Sequence, residues 1–70
     1  MKLVDHKDRK IEVGDKVRTI NDIASENGML YKDMVVKIDE WNTETKKIRV
    51  KDTLGKVWWI EPSQVSASFL

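Results

Sequence analysis

The sequence has no cysteine, one proline, three glycines and a single histidine among its 70 residues. Without cysteine there is neither a disulfide staple nor a thiolate metal site. A chain this short buries only about 60% of its unfolded surface, so apolar packing alone must hold it together. Three scattered glycines leave no glycine-rich phosphate loop. No run approaches the ~20 apolar residues of a membrane helix, and Met1-Lys2-Leu3-Val4 leads into charge rather than into the apolar core of a signal peptide. With the missing cysteines, these features make a cytoplasmic location and no membrane partner the expectation.

Charge of one sign is also lacking. Thirteen basic residues stand against twelve acidic ones, a net charge of +1. A nucleic-acid binder usually carries a clear basic excess, so a basic patch here has to come from segregation of charge, not from surplus. Catalytic material is equally sparse. His6 sits in a polar stretch, and no serine lies in a motif that would activate it. Asp5, Asp8, Glu12 and Asp15 lack calcium-loop spacing and read as a solvated acidic stretch interleaved with Lys7, Arg9, Lys10 and Lys16. The expectation is a non-enzyme with no cofactor, no metal and no small-molecule substrate.

What is present is two-residue alternation. Residues 46–51 alternate without interruption, Ile48 and Val50 to one side and Lys47, Arg49 and Lys51 to the other. Met34, Val36 and Ile38 form one face of a strand over 34–41, with Val35, Lys37 and Asp39 on the other. Residues 56–60 form a further strand, entered through Asp52-Thr53-Leu54-Gly55, which has the preferred ends of a type I turn. Residues 16–20 read as a strand with Val17 inward. Residues 2–4 and 9–13 read as an N-terminal hairpin with Ile11 and Val13 on one face. Residues 21–33 read as a long loop with one helical turn near 22–26 and the turn dipeptide Asn27-Gly28. A 3₁₀ turn over 62–64 precedes a last strand over 65–70. Together these predict one all-β domain, a small antiparallel barrel of five to six short strands. Residues 1–13 are its hairpin extension and 14–66 its barrel.

Val13-Gly14-Asp15-Lys16-Val17 resembles the opening of SH3-like and KOW-type domains, and Ile60-Glu61-Pro62-Ser63-Gln64-Val65 is similar to the strand, 3₁₀ turn and strand that close an SH3 barrel. The N-terminal pattern also resembles that of small phage and mobile-element proteins. The resemblance implies an SH3-like β-barrel, with 21–33 as its long first loop and 52–55 as its distal turn. It does not imply binding of proline-rich peptides, because the aromatic motif and the 3₁₀ tyrosine of that groove are replaced by Lys16-Val17-Arg18-Thr19 and Gln64. The KOW glycine before the second barrel strand is Lys32-Asp33 here.

Adjacent strand residues face opposite ways, so Trp58 and Trp59 split between core and surface. With Ile60 inward, Trp58 goes in and Trp59 out. Trp59 then stands beside Lys47, Arg49 and Lys51, with Lys37 beyond, either as a stacking and charge platform or packed on the aliphatic stems of its neighbours as a cover for the barrel wall. Met29 and Tyr31 form an apolar patch within the long loop, with Leu30 between them folded down as a lid. The tail Ala67-Ser68-Phe69-Leu70 is a candidate added strand. The leading expectation is a binding module for a protein partner or for self-association, such as a small regulatory accessory protein. The alternative is nucleic-acid binding through the basic and aromatic sheet face.

Overall fold

Three hairpin-linked strands with the clearest alternation form the centre of the structure. The computed structural model describes residues 2–26 and 28–67, and among them it is all-β. In chain order the strands are β1 (Lys16–Thr19), β2 (Ile23–Ser25), β3 (Gly28–Leu30), β4 (Val35–Asn42), β5 (Lys47–Lys51), β6 (Val57–Ile60) and β7 (Val65–Ser66), with a 3₁₀ turn at Pro62–Gln64. Five form an antiparallel sheet in the order β6-β5-β4-β1-β7, and β2 and β3 form a separate two-stranded ribbon.

The inner face of the sheet carries the core. Val17 pairs with Val36, Ile38 with Val50 and Val50 with Trp58, and Ile48 with Ile60. All seven are buried, with Leu3, Ile11, Ile23, Leu30 and Val65 packed around them. The alternation of β4 breaks once. The register slips between Ile38 and Glu40, leaving Asp39 as the extra residue of a β-bulge. The bulge reverses the side-chain parity beyond it, so Glu40 faces out opposite Arg49 while Trp41, opposite Ile48, packs against the core.

Four expectations are corrected. The sheet does not close into a barrel: β6 and β7 are left as its two edges. The chain leaves β6 through Pro62, and the 3₁₀ turn delivers it to the far side of β1, where β7 makes only two residue pairs. Gly28, at the ribbon tip, lies against the β6 side instead. A methyl group on it would stand 3.9 Å from Trp58 Cη2 and 3.5 Å from Lys56 Nζ, and its φ of +116° suits glycine. Second, residues 21–33 are not an irregular loop with a helical turn but the β2–β3 ribbon, pairing Ile23 with Leu30 and Ala24 with Met29. Each arm has one inward apolar residue, too few to show as a period. Third, the N-terminal pieces are not strands. A single bridge joins Val4 to Lys10, and Val13 is exposed in a turn at Gly14 rather than aligned with the buried Ile11. Fourth, the last strand ends at Ser66; Asn27 and the tail at 68–70 lie outside the described residues.

Two buried polar side chains fasten these parts. Thr19 Oγ1 donates to the Tyr31 carbonyl (2.7 Å) and accepts from the Met34 N–H (3.0 Å), clamping the base of the ribbon. Asp5, read from the sequence as one of several solvated acids, is buried. Its Oδ1 accepts the N–H groups of Lys7 (2.9 Å) and Arg9 (2.8 Å). Its Oδ2 accepts Arg9 Nε (3.0 Å) and the Ala67 N–H (2.7 Å). Arg9 Nη2 continues to Ser66 Oγ (2.8 Å), and the His6 N–H donates to the Val65 carbonyl (3.1 Å). One carboxylate thus ties the N-terminal turn to β7. Burial pushes its pKa up, but the amides of Ala67, Arg9 and Lys7 and the Arg9 charge outweigh burial and hold it at about 2.

Because that pKa lies below its ordinary value, the stabilisation is complete above about pH 4 and is lost as the pH falls through about 2. The shift corresponds to about 2 kcal/mol. Urea unfolding of the wild type should lose about that much between pH 5 and pH 2, whereas Asp5→Asn should be less stable at pH 7 and flatter over this window. An equally steep acid dependence in Asp5→Asn would assign the loss to other carboxylates. Asp5→Ala, which orphans three amides, should cost about 2–3 kcal/mol at pH 7.

Candidate nucleic-acid interface

The register that buries the core also decides what meets on the outer face. Since Val17 opposes Val36 and Ile38 opposes Val50, the residues one step away must oppose each other outside. Lys16 pairs with Lys37, and Lys37 with Lys51. Three lysines therefore stand in one row across β1, β4 and β5, about 5 Å apart from strand to strand. All three are exposed, and they surround a shallow depression of about 300 Å³ that is also lined by Val35, Asp52 and Thr53. The row ends at Val57 on β6.

A second row lies one bulge away: Glu40 on β4, Arg49 on β5 and Trp59 on β6. Trp59 is 42% exposed and Trp58 only 3%, the split expected from alternation. The Arg49 guanidinium sits 6.0 Å from the Trp59 ring centroid. Its Nη1 is 3.8 Å from Glu40 Oε1, and its Nε has no hydrogen-bond partner among the described residues. Lys51 Nζ is 3.9 Å from Asp39 Oδ2. Both ion pairs are long and partly exposed, the kind that contributes little. Lys47 extends the face opposite Asn42, and Arg18 faces out between Val35 and Ser66.

Charge is therefore segregated. Six of the thirteen basic residues, Lys16, Arg18, Lys37, Lys47, Arg49 and Lys51, stand on this face with three of the twelve carboxylates: Asp39, Glu40 and, beside the lysine row, Asp52. That is a local surplus of three, and the remainder of the chain carries a deficit of two.

The structure thus groups five of the residues singled out in the sequence: Lys37, Lys47, Arg49, Lys51 and Trp59. It does not bring Met29 and Tyr31 to them. Both are exposed, at 43% and 61%, but they belong to the ribbon, with the buried Leu30 between them. Sequence reasoning missed Lys16, because parity along β1 marks it as outward while only the β1–β4 register reveals its neighbour. It also missed Glu40, which only the bulge brings to the basic face; Asp39 lies on the outer side with Lys37 as the alternation implies. Elsewhere, two clefts of about 530 and 600 Å³ flank Trp41 beside the N-terminal segment. They share no residue with the basic face, and their linings mix lysines with Asp8, Glu12 and Glu61. Among the described residues no group of three or more His, Asp or Glu is placed to hold a metal ion, and no helix is long and apolar enough to cross a membrane. No family model matches the chain, and neither the curated proteins nor the solved structures contain a match to it.

Proposed function

We propose that this chain is a domain of SH3-like topology that binds nucleic acid through the outer face of its five-stranded sheet. The order of elements supports the first part: a first strand, a long ribbon, a three-strand meander, a 3₁₀ turn, and a last strand returning beside the first. In this reading the seam between β6 and β7 stays open. Gln64, where a peptide-binding SH3 domain has tyrosine, instead accepts the Glu61 N–H through Oε1 (2.9 Å).

The observation that carries the functional part is the row Lys16–Lys37–Lys51. Like charges directly opposite across strands are destabilising. Lys37 has a lysine on each side; Lys51 makes a loose contact to Asp39, and the Asp52 carboxylate beside the row accepts the Leu54 and Lys56 N–H groups through Oδ1. A run of phosphates offers the complementary charge at closely spaced points, with release of condensed counterions as the driving force. The near-neutral net charge of the chain, which argues against this function in the sequence, conceals the surplus on one face. The protein-partner reading keeps one specific observation, the exposed Met29 and Tyr31 of the ribbon.

Binding of fluorescein-labelled oligonucleotides, read by anisotropy, should weaken with salt. Three neutralised phosphates correspond to a log–log slope between about −2 and −3. Lys37→Glu with Lys51→Glu should reduce affinity at least about tenfold; unchanged affinity in the double variant would rule out this face. Lys37→Gln should move two quantities in opposite directions. It should raise stability by about 0.5 kcal/mol by relieving repulsion, and it should lower affinity several-fold. A destabilised Lys37→Gln would mean that the lysine serves the fold.

A further inference from the structure

We infer that the nucleic acid taken by this face is single-stranded, with its backbone over the lysine row and a base stacked on Trp59. This rests on the basic-face reading above and specifies its substrate.

Shape and charge each argue against insertion into the major groove of a duplex. The major groove admits an α-helix or a two-stranded ribbon. The described residues contain no α-helix, and the two-stranded ribbon is β2–β3. From residue 21 to residue 31 that element has no lysine or arginine, and it carries Asp22 and Glu26. Its approach to phosphates would be repelled. The cations stand instead on the face of the larger sheet, where a flexible strand can lie.

The aromatic residue supplies the second argument. A duplex keeps its bases stacked and offers an exposed indole only sugar and phosphate edges. A single strand offers base faces, and stacking on an aromatic side chain tolerates any base. Trp59 is the tryptophan of the outer face. It lies on an edge strand, two residue pairs along β5–β6 from the Lys51–Val57 end of the lysine row, the next position on the same face. A strand whose phosphates follow Lys16, Lys37 and Lys51 reaches β6 where its next base meets the indole. Arg49 can stack beyond that base or move aside for it: its ion pair to Glu40 is 3.8 Å long and its Nε has no hydrogen-bond partner among the described residues. Five strands at about 5 Å spacing make a platform for about four nucleotides, the lower end of site sizes on comparable sheets.

The test compares a fluorescein-labelled 12-nucleotide deoxythymidine strand with a 12-base-pair duplex at the same salt, using the full chain. The single strand should bind about tenfold or more tightly than the duplex. Trp59→Ala should reduce single-strand affinity about tenfold with the salt slope unchanged, and Trp59→Phe should recover part of the loss. In wild-type NMR spectra the Trp59 indole N–H resonance should shift on titration while that of Trp58 holds, a readout independent of how the variants fold. Duplex binding as tight as single-strand binding, or an unmoved Trp59 resonance during binding, overturns the single-strand assignment and leaves the basic face standing. Absence of binding to both probes at low salt overturns the basic face and this inference together.

Discussion

The inner rows of the sheet set its register, and most of the molecule follows from that constraint. Val17 against Val36, Ile38 against Val50 against Trp58, and Ile48 against Ile60 are the only way for these strands to bury their apolar side chains. A slip of one residue on any strand would turn its whole apolar set to water. In a chain of 70 residues the core is too small to absorb that loss. The lysines of the outer face are therefore not free to choose their neighbours. They oppose one another because the valines and isoleucines beneath them do. The buried pairs impose that juxtaposition, which makes the row informative: the core decides where the cations stand, but it does not require that they be cations.

The parts of this arrangement that depend on alternation along one strand were legible in the sequence. Ile48, Val50, Trp58 and Ile60 are inward, and Lys47, Arg49, Lys51 and Trp59 outward, as their two-residue period implies. Leu30 is the buried lid of its segment. The parts that depend on pairing between distant strands were not legible. Lys16 meets Lys37 across a separation that no local pattern encodes. The bulge at Asp39 leaves no signature in residue type, yet it reverses parity and so sends Trp41 to the core. The ribbon was hidden because three-residue arms are shorter than the window in which a period can be recognised. Asp5 was hidden for a related reason. Its burial comes from Ala67 and Arg9 converging on it, and an aspartate among charged neighbours looks solvated until the chain has folded back.

The basic face and the Asp5 clamp show two uses of charge in one small domain. At Asp5 every acceptor site is taken by a short bond, and the charge is structural. On the sheet face the Arg49–Glu40 and Lys51–Asp39 ion pairs are long, and the lysines of the row are exposed. Only the second arrangement leaves electrostatic energy that a ligand can collect. The single exposed indole on that face adds an apolar contact that does not weaken with salt. A platform combining the two would discriminate among polyanions by whether they present a flat aromatic surface, not by charge density alone.

The Asp5 carboxylate also has a mechanical meaning. β7 holds the sheet through only two residue pairs, a ladder too short to resist peeling by itself. The bonds from Asp5 to Ala67 and from Arg9 to Ser66 lie outside that ladder and bridge residues 62 and 57 positions apart. Tension applied between residues 2 and 67 would reach this side-chain latch before it reached any strand pair of the central meander. The resistance of the domain to being pulled open is thus concentrated in one ionised group near its perimeter, while the core beneath the basic face would carry no load until that latch had parted.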